Sequence, residues 1–199
     1  FRWGEETELR MAFEDTTGED LKWFFNQWSL SAGHPALSVS TDYADGNVLL
    51  TVEQTQGIDD NVPAVFRLPT QVAIFTNGST TPKMMDVVVD ERKQTFTFPS
   101  SVKPDVVIFD PQHYLLATFD YTKTAEELAA QFKGAPTVVD RMLVLQRLAG
   151  KDASEAKTMT ITAALSDPFH QVRERALQPA RENPTEDHFT KGRDCLRNT

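Results

Sequence analysis

The spacing of apolar positions changes period twice along this chain. Leu21, Phe24, Phe25 and Trp28 stand at i, i+3, i+4 and i+7, so a helix through them carries four large side chains on one face. From Leu37 the period falls to two, and from Tyr121 helical spacing returns. Burying each large apolar side chain is worth roughly 1.5–3 kcal/mol, so the aromatic face predicts a surface that covers it.

Leu9, Ala12 and Phe13 predict a short helix over residues 5–15, ended at Thr17-Gly18. Thr17 and Asp20 have the spacing of a capping box, which places the start of the aromatic helix near Gly18; Gly33 and Pro35 stop it beyond Leu30. Leu37, Val39, Thr41 and Tyr43 then alternate up to a turn at Asp45-Gly46-Asn47, and 48–56 returns as the second arm of a hairpin. Past a polar loop over 57–63, two short strands are expected at 65–68 and 72–75, separated by Pro69, followed by a turn at Asn77-Gly78. Residues 84–89 and 94–98 read as a second hairpin around 90–93, with Phe96 and Phe98 on one face. The last strands are expected at 106–109 and 115–119. Short strands at regular turn spacing indicate antiparallel sheets in a sandwich.

Thr124 and Glu127 have capping-box spacing before a helix over 125–133, closed by Gly134 and Pro136. Helices follow over 137–149, with Val138, Met142, Leu145 and Leu148 on one stripe, and over 154–165. A fourth starts at Asp167-Pro168 and leads into Phe169, Val172 and Ala176. From Pro179 periodicity fades, which predicts a partial helix or a loosely ordered end. Helices this short bury their stripes by stacking, as an α-solenoid or bundle. The fold expected is therefore α+β and multidomain: terminal helices over 1–34, an antiparallel β-sandwich over 35–120, and a helical, HEAT-like segment over 121–199.

Composition narrows the partners more than the chemistry. The 29 acidic against 20 basic residues give a formal charge of −9, which repels nucleic acid and anionic lipid. No apolar run approaches the ~20 residues of a membrane-spanning helix. The opening FRWGEETELR has neither a signal peptide's pattern nor an initiating Met, so the chain is expected to begin mid-protein; its compartment is left open. Cys195 is the single cysteine, which excludes an intrachain disulfide and a thiolate metal cluster.

Candidate chemistry is sparse. His34, before Pro35, reads as a turn residue closing a helix, and His113 and His188 as solvated side chains. Cys195 lacks the base and oxyanion site that a nucleophile requires. Asn77-Gly78-Ser79 fits a glycosylation acceptor and, better, a tight turn. Asp59-Asp60 and Glu126-Glu127 read as solvated charge or helix-dipole partners, not paired catalytic acids. Trp23, Phe24, Phe25 and Trp28 read as packing surface before ligand platform. Tyr43 and Phe96 are the mild aromatic candidates for a carbohydrate-binding sheet face.

The string MAFEDTTGEDLKWFFNQWSLSAGHPALSV resembles the junction at which the catalytic domain of the aminopeptidase N-like, gluzincin zinc aminopeptidases passes into a small β-sandwich. VLLTVEQTQ, FRLP and QVAIF resemble that sandwich's opening strands. DPFHQVRERAL, with Asp167, Pro168, Val172, Arg173 and Ala176, resembles the second helix of a HEAT-type repeat. The likeness spans about residues 8–177 and is most specific from Phe13 to Pro35. It implies a parent peptidase holding zinc through H-E-x-x-H and a downstream glutamate, with this portion bracing the catalytic domain and helping enclose its peptide cleft. Neither His34, His113, His170 nor His188 is followed by Glu or has a histidine four residues on, so no catalytic, cofactor-binding or metal residue carries over. The expected partner is the upstream catalytic domain, with peptide substrates reached only through the parent. The alternative is a protein–protein interaction module of a non-peptidase relative.

Overall fold

The structure, a computed structural model, describes residues 5–135, 137–182, 184, 185, 188, 191 and 192. It is a mixed α+β fold with two sheets and six helices among those residues. None of these helices is long and apolar enough to cross a membrane.

Helix α1 (Glu6–Thr17) buries none of its residues and ends at Gly18, whose amide bonds Glu14 O at 2.8 Å. Helix α2 (Lys22–Trp28) starts later than the Thr17/Asp20 spacing predicts, and the capping box does not form. The Thr17 hydroxyl donates instead to Phe13 O within its own helix, Asp20 accepts from Lys22 N, and the Glu14 carboxylate takes the Leu21 amide at 2.9 Å. That amide and the Arg10 guanidinium hold the Glu14 carboxyl below the usual carboxylate range. A side chain from the preceding helix thus does the capping, seven residues away.

β1 (Ala36–Ala44) and β2 (Asn47–Gln54) form the first hairpin, with Leu37 opposite Gln54 and Ala44 opposite Asn47. Asp45 and Gly46 both take positive φ, 51° and 73°, the pairing that a two-residue hairpin turn demands. β3 (Leu68–Phe75) is one strand where two were expected. Pro69 is tolerated because the short β6 (Val106–Phe109) pairs only with 72–75, leaving that flank of β3 open at Pro69.

β4 (Lys83–Val89) and β5 (Lys93–Pro99) are not a hairpin. β4 pairs with β3, β5 pairs with β2, and the connection between them passes from one sheet to the other. Arg92 fastens this crossing by donating to Gln56 O at 2.9 Å and Ala64 O at 3.1 Å. Alternation places Val87, Val89 and Phe98 inward whether the strands share a sheet or face each other, so the pattern alone does not separate the two topologies. β7 (Thr118–Tyr121) lies further along than expected and runs parallel to β1, with Ala36 opposite Thr118 and Val39 opposite Tyr121. The expected wholly antiparallel arrangement therefore has one parallel pair, and the sheet orders are β5-β2-β1-β7 and β4-β3-β6.

The two sheets share one core. Leu37, Val39, Val48, Leu50 and Val52 from the first meet Leu68, Val72, Val89 and Phe109 from the second, with Phe66 from the connecting loop. Trp28 tilts against Phe66 at 5.6 Å between ring centroids, which joins α2 to this core. Of the aromatic face on α2, Phe25 is buried while Phe24 stays 42% exposed.

The helices α3 (Ala125–Gly134), α4 (Val138–Ala149), α5 (Glu155–Ala164) and α6 (His170–Glu182) follow. α3 packs on α4 and α5, and α6 packs on the same two, giving two stacked helix pairs. Capping boxes form at Thr124/Glu127 and Thr137/Asp140. Leu145 and Leu148 are buried from the predicted stripe, and Ile161, Leu165, Val172 and Ala176 complete the helical core. α6 runs through Pro179 to Glu182 with Ala176, Pro179 and Ala180 buried, a partial helix at the start of the tail, and most of the tail beyond it lies outside the described residues. Cys195 lies outside the described residues.

Candidate functional site

Most residues singled out from the sequence have local structural duties. His34 is exposed in the connection before β1. Asp59 accepts from the Asn61 and Val62 amides and shapes a loop, and Glu127 closes the Thr124 capping box. Asn77-Gly78 is a tight turn closed by Ser79 N to Thr76 O at 3.1 Å. The Tyr43 hydroxyl donates to Ser100 O, and Phe96 is half-buried with its ring stacked on Phe98, so these two do not form an open platform. His170 begins α6 with its ring beside Phe169.

Of the two histidines expected to be solvated, His113 is exposed and His188 is not. His188 is buried, its Nε2 at 3.0 Å from the Thr162 hydroxyl. His113, held at a positive φ of 56°, places Nε2 at 2.7 Å from Asp140 Oδ1. Asp140 is the third residue of its helix and also serves the Thr137 cap through its other oxygen.

That pair marks the rim of a cavity of about 440 Å³ between the end of the sheets and the helices. β6 supplies Ile108 and Phe109, β7 supplies Phe119 and Tyr121, α3 supplies Gln131, and α4 supplies Asp140, Leu143 and Arg147. Lys123, in the link from β7 to α3, is only 7% exposed and donates to Gln131 Oε1 at 2.7 Å. Burial, with the Arg147 charge adding to it, brings the Lys123 ammonium down to about 7. Arg147 stacks its guanidinium 4.3 Å from the Tyr121 ring centroid, and the Lys123 ammonium stands 5.3 Å from the same ring. Burial raises the Tyr121 phenol, whose hydroxyl donates to Phe109 O at 3.1 Å.

Sequence reasoning passed over Lys123, Arg147 and Tyr121. One signal was available: alternation carried forward from Phe119 and Tyr121 puts Lys123 on the same inward side.

A second hollow, about 480 Å³, lies where α2 meets the loop after β6, between Trp23, Phe24 and Trp28 on one side and Tyr114, Leu115 and Leu116 on the other. The Arg67 guanidinium lies over Trp23 at 4.5 Å. Among the described residues no group of three or more His, Cys, Asp or Glu side chains could hold a metal ion.

No protein-family model matches the chain, and no curated protein matches it as a relative. Among solved structures it is similar to Legionella pneumophila aminopeptidase A, crystallised in complex with aspartic acid. The TM-score is 0.66 at 17% sequence identity, covering 97% of this chain and 25% of that one. At that identity the likeness is one of fold, and the chain spans about a quarter of the peptidase's length.

Proposed function

We propose that the chain is a non-catalytic structural portion of a zinc aminopeptidase-like protein. Residues 1–34 end the catalytic domain, 35–120 form a β-sandwich that braces it, and 121–199 open a HEAT-like helical domain that helps enclose the peptide cleft. The observation that carries this reading is the fold likeness to a quarter of an aminopeptidase chain, over 97% of the residues here. Two further features support it. Leu9, Phe13 and Phe24 leave apolar side chains exposed on α1 and α2, as a surface that packs on a neighbouring domain would be. The stacked pairs α3–α4 and α5–α6 have the two-layer arrangement of helical repeats.

The purified chain is expected to release no product from aminoacyl-p-nitroanilides, with or without added zinc, and turnover would overturn the reading. The reading frame upstream of Phe1 is expected to encode H-E-x-x-H. A frame that encodes the same architecture without that motif would favour an interaction module of a non-peptidase relative instead.

A further inference from the structure

We propose that the cavity between β6, β7, α3 and α4 binds a small oxyanion, held jointly by the Lys123 ammonium and the Arg147 guanidinium beside the Tyr121 ring. The proposal stands apart from the peptidase reading, since it uses only groups within this chain.

The argument begins with unused donors. Lys123 has three N–H groups and one acceptor, Gln131 Oε1. Arg147 has five, and no oxygen of the described residues accepts a hydrogen bond from its guanidinium; its contact is with the Tyr121 face. The cavity's carboxylates are engaged elsewhere. Asp110 accepts from the Thr70 hydroxyl and from the Tyr114 and Leu115 amides. Asp140 lies near enough to favour the Arg147 charge, yet its oxygens bond His113 and Thr137. The buried Lys123 and the partly buried Arg147 thus meet on one aromatic ring with no carboxylate bonded to either, an arrangement whose desolvation cost a bound anion offsets.

The space suits such a ligand. About 440 Å³ falls within the ordinary range for small-molecule sites, and the walls combine Phe119, Tyr121 and Leu143 with the two cations. A carboxylate and a phosphate share the recognising chemistry: a negative, acceptor-only oxygen set. Because the ligand would touch the last strand and the helices together, its occupancy would stiffen the junction between them.

The test is calorimetric titration of the 199-residue chain just below pH 7 with inorganic phosphate in one arm and benzoate in the other, with sodium chloride as the ionic-strength control. Saturable one-site binding of at least one anion, with a dissociation constant below about 10 mM, is expected. Lys123→Met and Arg147→Gln should each weaken it by at least about tenfold while far-ultraviolet circular dichroism stays unchanged. Lys123→Met replaces a buried chain with an apolar one of similar length, so it keeps the test open if the arginine variant fails to fold. Phosphate binding alone identifies a phosphoryl ligand, and benzoate binding alone a carboxylate. Absence of saturable binding in both arms, an equal response to chloride, or a smaller loss in either folded variant would overturn the proposal.

Discussion

Gln54 offers the sharpest test of how the two sheets are held together. It is fully buried at the end of β2, and its amide works as a piece of backbone would: it accepts from Phe66 N at 2.8 Å and donates to Phe66 O at 2.8 Å. It reaches Glu91 O at 3.2 Å as well, so one side chain ties the loop carrying Phe66 to the crossing between β4 and β5. Gln54→Leu keeps the volume and removes every one of these bonds. Phe66 is fully buried, so its N–H and C=O are stranded without water, at about 1–3 kcal/mol each, while Glu91 O regains solvent. The expected loss is about 2–4 kcal/mol net of the gain from burying an apolar side chain, a large share of the 5–15 kcal/mol typical of a domain. In urea, with a slope of roughly 2 kcal/mol per molar, the midpoint should fall by about 1–2 M. Trp28, whose ring lies against Phe66, supplies a fluorescence signal from the right place. Thr51→Ala, which deletes an exposed cross-strand hydroxyl pair with Thr95, is the control and should cost under about 1 kcal/mol. A Gln54→Leu midpoint no lower than that of the control would show that the amide pairing contributes nothing to stability.

Further outcomes follow from the same geometry. Lys123 is brought down to about 7 when folded, by burial first, with the Arg147 charge adding to it and Glu127 opposing it, and keeps its ordinary, higher value when unfolded. The unfolded chain therefore binds the extra proton between those values, and stability should rise with pH from about 7 toward 10, by up to about 1.4 kcal/mol per unit, in urea titrations in anion-poor buffer. Lys123→Met should abolish that rise. Thr124→Ala and Thr137→Ala each remove a capping hydroxyl and should cost about 1 kcal/mol in thermal or urea unfolding. Gly33→Ala forces a residue with a Cβ to φ +77° and sets that Cβ 3.0 Å from Val62 Cγ2, so a loss of about 1–2 kcal/mol is expected by the same assay.

The elements legible in the sequence were those specified by local chemistry. Thr124 with Glu127, Asp45 with Gly46, and the Leu145–Leu148 stripe each settle a boundary or a face within one or two turns of chain. What escaped was decided at longer range. Pro69 looked like a break because the shortness of β6 is invisible from β3, and 84–98 looked like a hairpin because inward and outward positions alternate equally well across two facing sheets. Thr17 and Asp20 had the right spacing for a cap that the Glu14 carboxylate supplies instead. The cavity was hidden for a related reason. Lys123 and Arg147 are 24 positions apart, separated by a whole helix, and they meet because both approach Tyr121.

The parallel neighbourhood of β1 and β7 has a mechanical consequence. The first strand enters at Ala36 and the last leaves at Tyr121, so a pull transmitted between the N-terminal and C-terminal helices drags the two strands lengthwise past each other. Their shared bonds, with Thr118 N to Pro35 O and Thr122 N to Val39 O at either end, must then yield together instead of unzipping one by one. Tension along the chain is therefore met by a clamp in shear, and the β region behaves as a stiff coupling between the segments on its two sides.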